Sequence, residues 1–346
     1  MMNKMKKLLA LTLTLALALS LAACGGSDTS AAGEDTASPQ DAQFTVGIIN
    51  YVDDPSLNQI QAAIEAELAA NDIAYVSQNA QADQSTITTI ANQMIESGVD
   101  LLIPIATPTA MVVQNATSEN QLPVVFAAVS DPVGAGLVAS MDAPGGNITG
   151  SSDALDTANI FNLITALNPD LTKVGLLYDA SQDSSTLAIE HAKEFLDANN
   201  IAYVEKTGTT TDDLSLAADA LIAEGVEVVF TPTDNTVQVA EPALYQKFID
   251  AGVQHYCGAD SFALVGAFCG YGVDYENLGT MTGKMAVKIL VGGADPAATP
   301  IETFDNGKAS INTDTCAALG LDFEEVSSTL EPLCTMVEGL TTSDSF

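Results

Sequence analysis

The chain has 346 residues, of which 47% are apolar, and its 10 basic residues, all of them Lys, face 45 Asp and Glu for a formal net charge of −35. Without Arg or basic clusters it cannot neutralise a row of phosphates, so nucleic acid is excluded as a partner. The apolar content is enough for one large core or two ordinary ones, and the acidity is typical of a solvated surface.

The N-terminus has the features of a secretory leader. Three lysines precede an apolar run from Leu8 to Leu21, which is too short for a typical membrane span, and small residues follow. Leu-Ala-Ala-Cys24 at its end resembles the bacterial lipobox, in which the Cys is lipidated. We predict a signal peptide over 1–23, lipidation of Cys24 and an extracytoplasmic protein anchored to the cell membrane. The alternative is an ordinary signal peptide that ends near a Cys.

Residues 24–43 are rich in Gly, Ser, Ala, Asp and Thr and show no apolar period. This composition predicts a flexible tether between the lipid and a folded part that begins at Phe44.

From residue 44 onward, apolar runs of strand type alternate with runs of helical spacing. Strands are predicted at 45–51, 73–78, 100–106, 123–129, 148–152, 173–178, 201–204, 226–232 and 253–257. Helices are predicted at 55–70, 85–97, 109–120, 157–167, 185–199, 214–223 and 236–251. Alternation with continuous apolar strands favours parallel sheets covered by helices on both faces. Because the series restarts at Lys173, two similar α/β lobes are expected.

Four cysteines remain once Cys24 is set aside. An exported protein can keep disulfides, and the pairs closest in sequence are Cys257–Cys269 and Cys316–Cys334. Free buried thiols are the alternative. The Cys and His residues lack metal-ligand spacing, so no metal site is predicted. A G-x-G-x-x-A match at Gly134 follows the fourth strand rather than the first, so no dinucleotide or other cofactor is predicted.

Polar residues in the loops at the carboxyl ends of the strands are the candidates for contacting a ligand, because ligands of open α/β sheets bind there. These candidates are Tyr51, Asn79, Thr107, Thr109, Asp131, Ser184, Asp234, Asn235 and Asp260.

Two groups among these candidates point to an α-amino acid. Thr107-Pro108-Thr109 opens a predicted helix whose N–H groups and hydroxyls can hold a carboxylate without Arg, although Thr107 alone would also make an ordinary cap. Asp131 and Asp260 are the acids that can pair with an ammonium group, and turn or cap roles are their alternatives. Tyr51 either packs against the ligand side chain or belongs to the core.

Catalysis is not expected. The chain has no G-x-S-x-G elbow, and His191 and His255 lack evident Ser or Cys partners in strand-end loops. A hydrolase that uses only carboxylates is the alternative for a chain so rich in acids.

Several short motifs occur in the order found in one family. They are Asn79-Ala-Gln-Ala-Asp-Gln-Ser85, Ile105-Ala-Thr-Pro108, Asp131-Pro-Val-Gly-Ala-Gly-Leu137, Pro144-Gly-Gly-Asn-Ile-Thr-Gly150 and Pro232-Thr-Asp-Asn-Thr236. Over residues 44–321 the chain resembles the substrate-binding lipoproteins of ABC importers, in the branch associated with tryptophan, tyrosine or phenylalanine. Two positions depart from that pattern. They are Asp54-Pro55, where relatives often have His-Pro, and Ser261-Phe262 after Asp260.

The resemblance implies an α/β fold of the type I periplasmic-binding-protein class, with two lobes, each a parallel sheet flanked by helices, and three hinge crossings. It implies a first lobe of 44–153 with 275–299, a second lobe of 154–274 with 300–321, and a tail of 322–346. The implied partners are an amino acid ligand and an ABC permease with its ATPase. A sugar or nucleoside ligand, or a sensing module for a signalling partner, are the alternatives.

Overall fold

The computed structural model describes residues 35–37, 42–305 and 307–343. The predicted signal peptide, the lipidated Cys24 and most of the predicted tether lie outside the described residues. Within the described part of the chain, every helix is too short or too polar to cross a bilayer.

The strands form two separate seven-stranded sheets, which confirms the predicted two-lobed α/β fold. The first sheet comprises β1 (Asp35–Ala37), β2 (Thr45–Asn50), β3 (Ala74–Asn79), β4 (Leu101–Pro104), β5 (Val124–Phe126), β6 (Ile148–Ser152) and β12 (Glu302–Thr303). The second comprises β7 (Lys173–Tyr178), β8 (Ala202–Thr207), β9 (Val228–Thr231), β10 (Gln254–Cys257), β11 (Cys269–Gly272), β13 (Lys308–Asn312) and β14 (Met336–Leu340). The strand order is β1-β3-β2-β4-β5-β6-β12 in the first sheet and β14-β13-β11-β10-β9-β7-β8 in the second.

Helices cover both sheets. In chain order they are α1 (Pro55–Ala70), α2 (Gln84–Ser97), α3 (Thr107–Thr117), α4 (Thr157–Leu167), α5 (Asp183–Ala198), α6 (Thr211–Ala223), α7 (Asn235–Ala240), α8 (Tyr245–Ala251), α9 (Asp260–Val265), α10 (Tyr275–Leu290), α11 (Thr313–Ala318) and α12 (Phe323–Leu330). The single helix predicted over 236–251 is instead α7, a 3₁₀ turn at Glu241–Ala243 and α8. Pro242 lies in that turn and lacks the N–H that a continuous helix requires.

The chain passes between the sheets at three places: after β6, after β11 and between β12 and β13. Helix α10 returns to pack along α1 of the first lobe, and Gly279 permits the close approach because a Cβ there would lie 2.5 Å from the Ile60 carbonyl oxygen. Strand β12 pairs with β6, so the first sheet extends past residue 299. The exact lobe limits stay a prediction.

Both ends of the described chain add strands to the sheets. Strand β1 lies inside the segment expected to be a flexible tether and pairs antiparallel with β3, which would otherwise be an edge strand of the first sheet. Strand β14, from the segment named as the tail, runs parallel to β13 and widens the second sheet.

The predicted disulfides are not formed, and Cys257, Cys269, Cys316 and Cys334 are free thiols. Across β10 and β11, Cys257 pairs in register with Gly270, whereas Cys269 pairs with Tyr256. This offset of one residue turns the two thiols to opposite faces of the sheet, where they join different hydrophobic clusters. Cys316 donates instead to the Leu321 carbonyl, 3.6 Å away.

Candidate functional site

A cavity with about 490 Å³ of empty space, part of it open to solvent, lies between the two lobes, at the carboxyl ends of strands from both sheets. We call it the central cavity. Of the candidates from the sequence, Thr107 lines it from the first lobe, and Ser184, Asp234 and Asn235 line it from the second. Its other walls include Asp54, Ser56, Ser130, Asp153, Gln238 and Tyr275. A ligand bound here would touch both lobes at once.

Several polar atoms in the walls are buried without a partner among the described residues. They are Asp54 Oδ2, Thr107 Oγ1, Ser184 Oγ and Gln238 Oε1. Thr107, Ser184 and Asp54 are 3%, 4% and 5% exposed. Buried polar groups in folded proteins nearly always have a hydrogen-bond partner, so these atoms are arranged for a molecule that supplies one.

Helix α3 directs an uncapped N-terminus at the central cavity. Its N-cap residue is Ala106, which makes no side-chain cap, whereas Asp54 and Asp83 cap α1 and α2 through their side chains. Thr107 is therefore the first helical residue rather than the cap, and its hydroxyl is free for a ligand. Together with the free N–H groups of the first turn, it forms a site suited to an anion such as a carboxylate.

Helix α5 repeats this arrangement in the second lobe. Gln182 stands at its N-cap without a side-chain capping bond, since its Oε1 accepts instead from Asn235 Nδ2 at 3.3 Å. The Ser184 hydroxyl lies in the first turn, inside the cavity wall. Two uncapped helix starts, each with an unpartnered hydroxyl, thus face the same space from opposite lobes.

The acidic part of the cavity comes from Asp54 and Asp153 in its walls. Burial raises the pKa of the Asp54 carboxyl to about 6, and the negative charge of Asp260 adds to the rise. Burial also raises the pKa of Asp153 to about 6, against a hydrogen bond of 2.9 Å that its Oδ1 accepts from Ser130 Oγ. Two desolvated carboxyls in one cavity wall are suited to pair with a cation.

The two acids proposed from the sequence as ammonium partners have other contacts. Asp131 Oδ1 accepts from the Gly134 N–H at 2.8 Å and shapes its own turn, outside the cavity walls. Asp260 accepts from Ser56 Oγ at 2.6 Å and contacts Lys308 Nζ at 3.2 Å, while its neighbour Ser261 lines the cavity. Their roles in ligand binding stay predictions that this geometry does not favour.

Three further candidates, Asn79, Thr109 and Asp234, differ in their contacts and in their relation to the central cavity. Asn79 Oδ1 accepts from the Gln81 N–H at 2.8 Å in a turn away from the cavity walls. Thr109 is fully buried in α3 and its Oγ1 has no partner, yet it does not line the cavity. Asp234 caps α7 and accepts from Ser185 Oγ at 2.6 Å, so it both lines and braces the wall.

Tyr51 lines a second cavity, which we call the side chamber, with about 710 Å³ of empty space that includes space open to solvent. Its walls include Tyr51, Gln84, Ile87, Pro108, Met111 and Asp183, and it adjoins the central cavity at Thr107, which lines both. Burial and the charges of Asp179 and Asp234 raise the pKa of Tyr51, so its hydroxyl stays neutral.

The lobes also touch each other directly around the central cavity. Ser130 Oγ of the first lobe lies 3.0 Å from Thr233 Oγ1 of the second, and Ser56 Oγ bonds to Asp260. The structure is therefore an arrangement in which the cleft is closed over the cavity.

One cluster resembles a nucleophile with its base. His255 lies 3.1 Å from Glu241 through Nδ1 and 3.3 Å from Cys257 Sγ through Nε2, so His255 does have the Cys neighbour that the sequence did not reveal. All three residues are almost fully buried within the second lobe, and burial raises the pKa of the Cys257 thiol well above its usual range. A buried, protonated thiol is an inert structural group rather than a nucleophile. Among the described residues, no three His, Cys, Asp or Glu side chains are grouped to hold a metal ion.

Comparison with known proteins agrees with this architecture. A curated relative, the tyrosine-binding protein of Clostridioides difficile (strain R20291), is 31% identical over 335 residues, which cover 94% of this chain and 95% of that protein. A structure of an ABC domain in complex with L-Trp from Streptococcus pneumonia is 32% identical, has a TM-score of 0.77, and is matched over 84% of this chain and 99% of its own.

A second solved structure represents the ligand-free, open state of a substrate-binding protein with adhesive properties from Clostridium difficile. It is 29% identical, with a TM-score of 0.67 over 87% of this chain and 100% of its own. The family model for ABC transporter substrate binding proteins matches residues 45–330. The chain therefore belongs to the ABC transporter substrate-binding protein family, as its motifs predicted.

Proposed function

We propose that this protein captures a free amino acid between its lobes, outside the cytoplasm, and delivers it to the permease of an ABC importer. The lobes close on the ligand, and the permease recognises the closed form. A lipid on Cys24 holds the protein at the membrane.

The observation that carries the proposal is the pairing of opposite chemistry in one buried cavity. Thr107 Oγ1 and Ser184 Oγ, both unpartnered, stand at uncapped helix starts and offer hydrogen-bond donors to a carboxylate. Asp54 Oδ2, also unpartnered, offers an acceptor to an ammonium. A zwitterion satisfies all of them without Arg, which the chain lacks.

An aromatic amino acid is the ligand that the relatives favour. The name of one relative states that it binds tyrosine, and a solved neighbour holds L-Trp. The higher TM-score to the L-Trp complex than to the ligand-free, open structure supports a ligand-competent, closed arrangement here. The buried position of the His255 cluster supports binding without catalysis.

A thermal-shift screen of the purified protein against L-amino acids, sugars and nucleosides tests the proposal. A ligand at about 100 times its Kd stabilises the folded protein by roughly 2.7 kcal/mol, which is readily measured. We expect the melting temperature to rise with an aromatic L-amino acid and to be unchanged with sugars and nucleosides. A shift with a sugar or nucleoside and none with any amino acid would overturn the proposal.

The anchoring is tested separately by the Cys24→Ser variant in the native host. We expect the wild-type protein to partition with membranes and the variant to appear in the soluble extracytoplasmic fraction. Equal partitioning of the two would contradict lipidation of Cys24.

A further inference from the structure

The central cavity alone does not account for the space at the cleft. The side chamber adjoins it at Thr107 and is also formed by both lobes, since Tyr51, Ile87 and Met111 belong to the first and Asp183 to the second. Thr107 stands at the start of α3, where the carboxylate of the proposed ligand would be held. Because Thr107 lines both spaces, the side chamber is the space next to the site proposed for the ligand's carboxylate.

The walls of the two spaces differ in chemistry. The central cavity holds the unpartnered polar atoms and the buried acids, whereas the inner part of the side chamber is formed by Tyr51, Ile87, Pro108 and Met111. Ile87 is fully buried, Tyr51 is 9% exposed, and Pro108 and Met111 are half-buried, so this part is mostly apolar and largely shielded from solvent. Apolar surface of this kind gains free energy when a matching apolar group replaces the water against it.

The outer part of the side chamber is polar and reaches solvent. Gln84, Ser181 and Asp183 line it and are exposed in the structure. A group that projects outward from the apolar part would therefore meet water and hydrogen-bonding side chains rather than a closed wall.

We infer that the side chamber is the binding site for the ligand's side chain and that it takes large side chains with an apolar body and a polar or extended tip. The inference rests on the proposed function and adds where specificity arises. Met111 and Ile87 select for size, and the open outer part tolerates substituents at the far end of a ring. Amino acids with small side chains leave the apolar part of the side chamber hydrated and therefore bind more weakly.

Calorimetric titration of the wild-type protein with L-Trp, L-Tyr, O-methyl-L-tyrosine and L-Ala tests the inference. We expect L-Trp or L-Tyr to bind at least about tenfold more tightly than L-Ala, as expected for differences of several methylenes in an apolar site. O-methyl-L-tyrosine should bind within about fivefold of L-Tyr, because its extra methyl would project through the outer part. An affinity for O-methyl-L-tyrosine more than a hundredfold weaker than that for L-Tyr would overturn the inference that the outer part of the side chamber is open.

Substitution of Met111 locates the side-chain site. Met111→Trp fills the chamber, so we expect the affinity for L-Trp to fall at least about tenfold while L-Ala binding is unchanged. Asn115→Trp, an exposed residue one turn further along α3, is the matched control and should bind like the wild type. If Met111→Trp does not fold, Met111→Ala is used, with an expected loss of about threefold or more for L-Trp alone.

The outcomes separate this inference from the proposed function. If no amino acid binds to the wild-type protein, the proposed function fails. If L-Trp binds to the wild-type protein, the proposed function stands. The side-chamber assignment is then wrong if the Met111 variants lower the affinities for L-Trp and L-Ala equally, or if they change neither affinity.

Discussion

Ser56 Oγ donates a hydrogen bond of 2.6 Å to Asp260 Oδ1, and this buried bond joins the first lobe to the second. The other oxygen of Asp260 lies 3.2 Å from Lys308 Nζ, which in turn is 2.9 Å from Glu338 in β14. The charges of Asp260 and Glu338 raise the pKa of Lys308, against the effect of its burial. The contact that closes the cleft is therefore braced by the C-terminal strand of the second sheet.

Ser56→Ala should weaken ligand binding by about tenfold or more. The closed form loses a buried hydrogen bond to a charged group, and such bonds contribute about 1.5–3 kcal/mol, where 1.4 kcal/mol is tenfold in affinity. Isothermal titration measures the change, with Ser118→Ala, an exposed serine of the same lobe, as the control. An unchanged affinity in Ser56→Ala would show that this bond does not stabilise closure.

Ligand affinity should rise with pH through about 6. Burial raises the pKa of Asp54 to about 6 in the closed arrangement without ligand, so its carboxyl is largely protonated there at pH 5. A ligand ammonium stabilises the ionised form and lowers that pKa, so binding releases a proton near pH 6. From this single group we expect affinity about tenfold weaker at pH 5 than at pH 7.5. Asp54→Asn should reduce the pH dependence to the part that Asp153, whose pKa is also raised to about 6, contributes, and a flat wild-type profile would contradict the role of Asp54.

Ala106→Gly should raise the melting temperature. Ala106 lies in the cavity wall with φ +75° and ψ 153°, a region that glycine adopts without strain. Removing the backbone strain stabilises the protein by about 1–3 kcal/mol, which outweighs the roughly 0.5–1 kcal/mol of conformational entropy that glycine loses on folding. We therefore expect the melting temperature to rise by a few degrees. Differential scanning calorimetry checks this, and a lower melting temperature would indicate that the backbone at Ala106 is not strained.

Four thiols should react after denaturation without reductant. A Cys24→Ser form of the protein, unfolded in guanidinium with iodoacetamide, is expected to gain four adducts by mass spectrometry, because the described cysteines are free. In the folded protein Cys334, which is partly exposed, should react before the buried Cys257, Cys269 and Cys316. Two or no adducts after denaturation would indicate disulfides.

The parts of the fold that depend on local signals were predictable from the sequence. Helix α1 has the predicted bounds because Asp54, Pro55 and the buried spacing of Ile60 and Ile64 are all local features. Strand β11 was missed, since its sequence Cys-Gly-Tyr-Gly has weak strand propensity and its pairing with β10 and β13 comes from elsewhere in the chain.

The residues of the candidate site likewise differ in whether local sequence signals predict them. Thr107 and Ser184 could be found because a strand end followed by a helix start is visible in the sequence. Tyr275 reaches the cavity where the chain recrosses to the first lobe, which depends on long-range packing. Asp153 directly follows β6 at another crossing and would have been found by applying the strand-end rule to that strand as well.

The central claim is that a zwitterion binds through both of its charged ends, and a titration with three matched ligands tests it most directly. L-tyrosine has both ends, tyramine lacks the carboxylate, and 3-(4-hydroxyphenyl)propionate lacks the ammonium. We predict binding heat with L-tyrosine and an affinity at least about tenfold weaker with either analogue, because each leaves buried polar atoms of Asp54 or Thr107 unpaired. Equal affinity for an analogue and for L-tyrosine, or no heat with L-tyrosine or any other free amino acid, would contradict it.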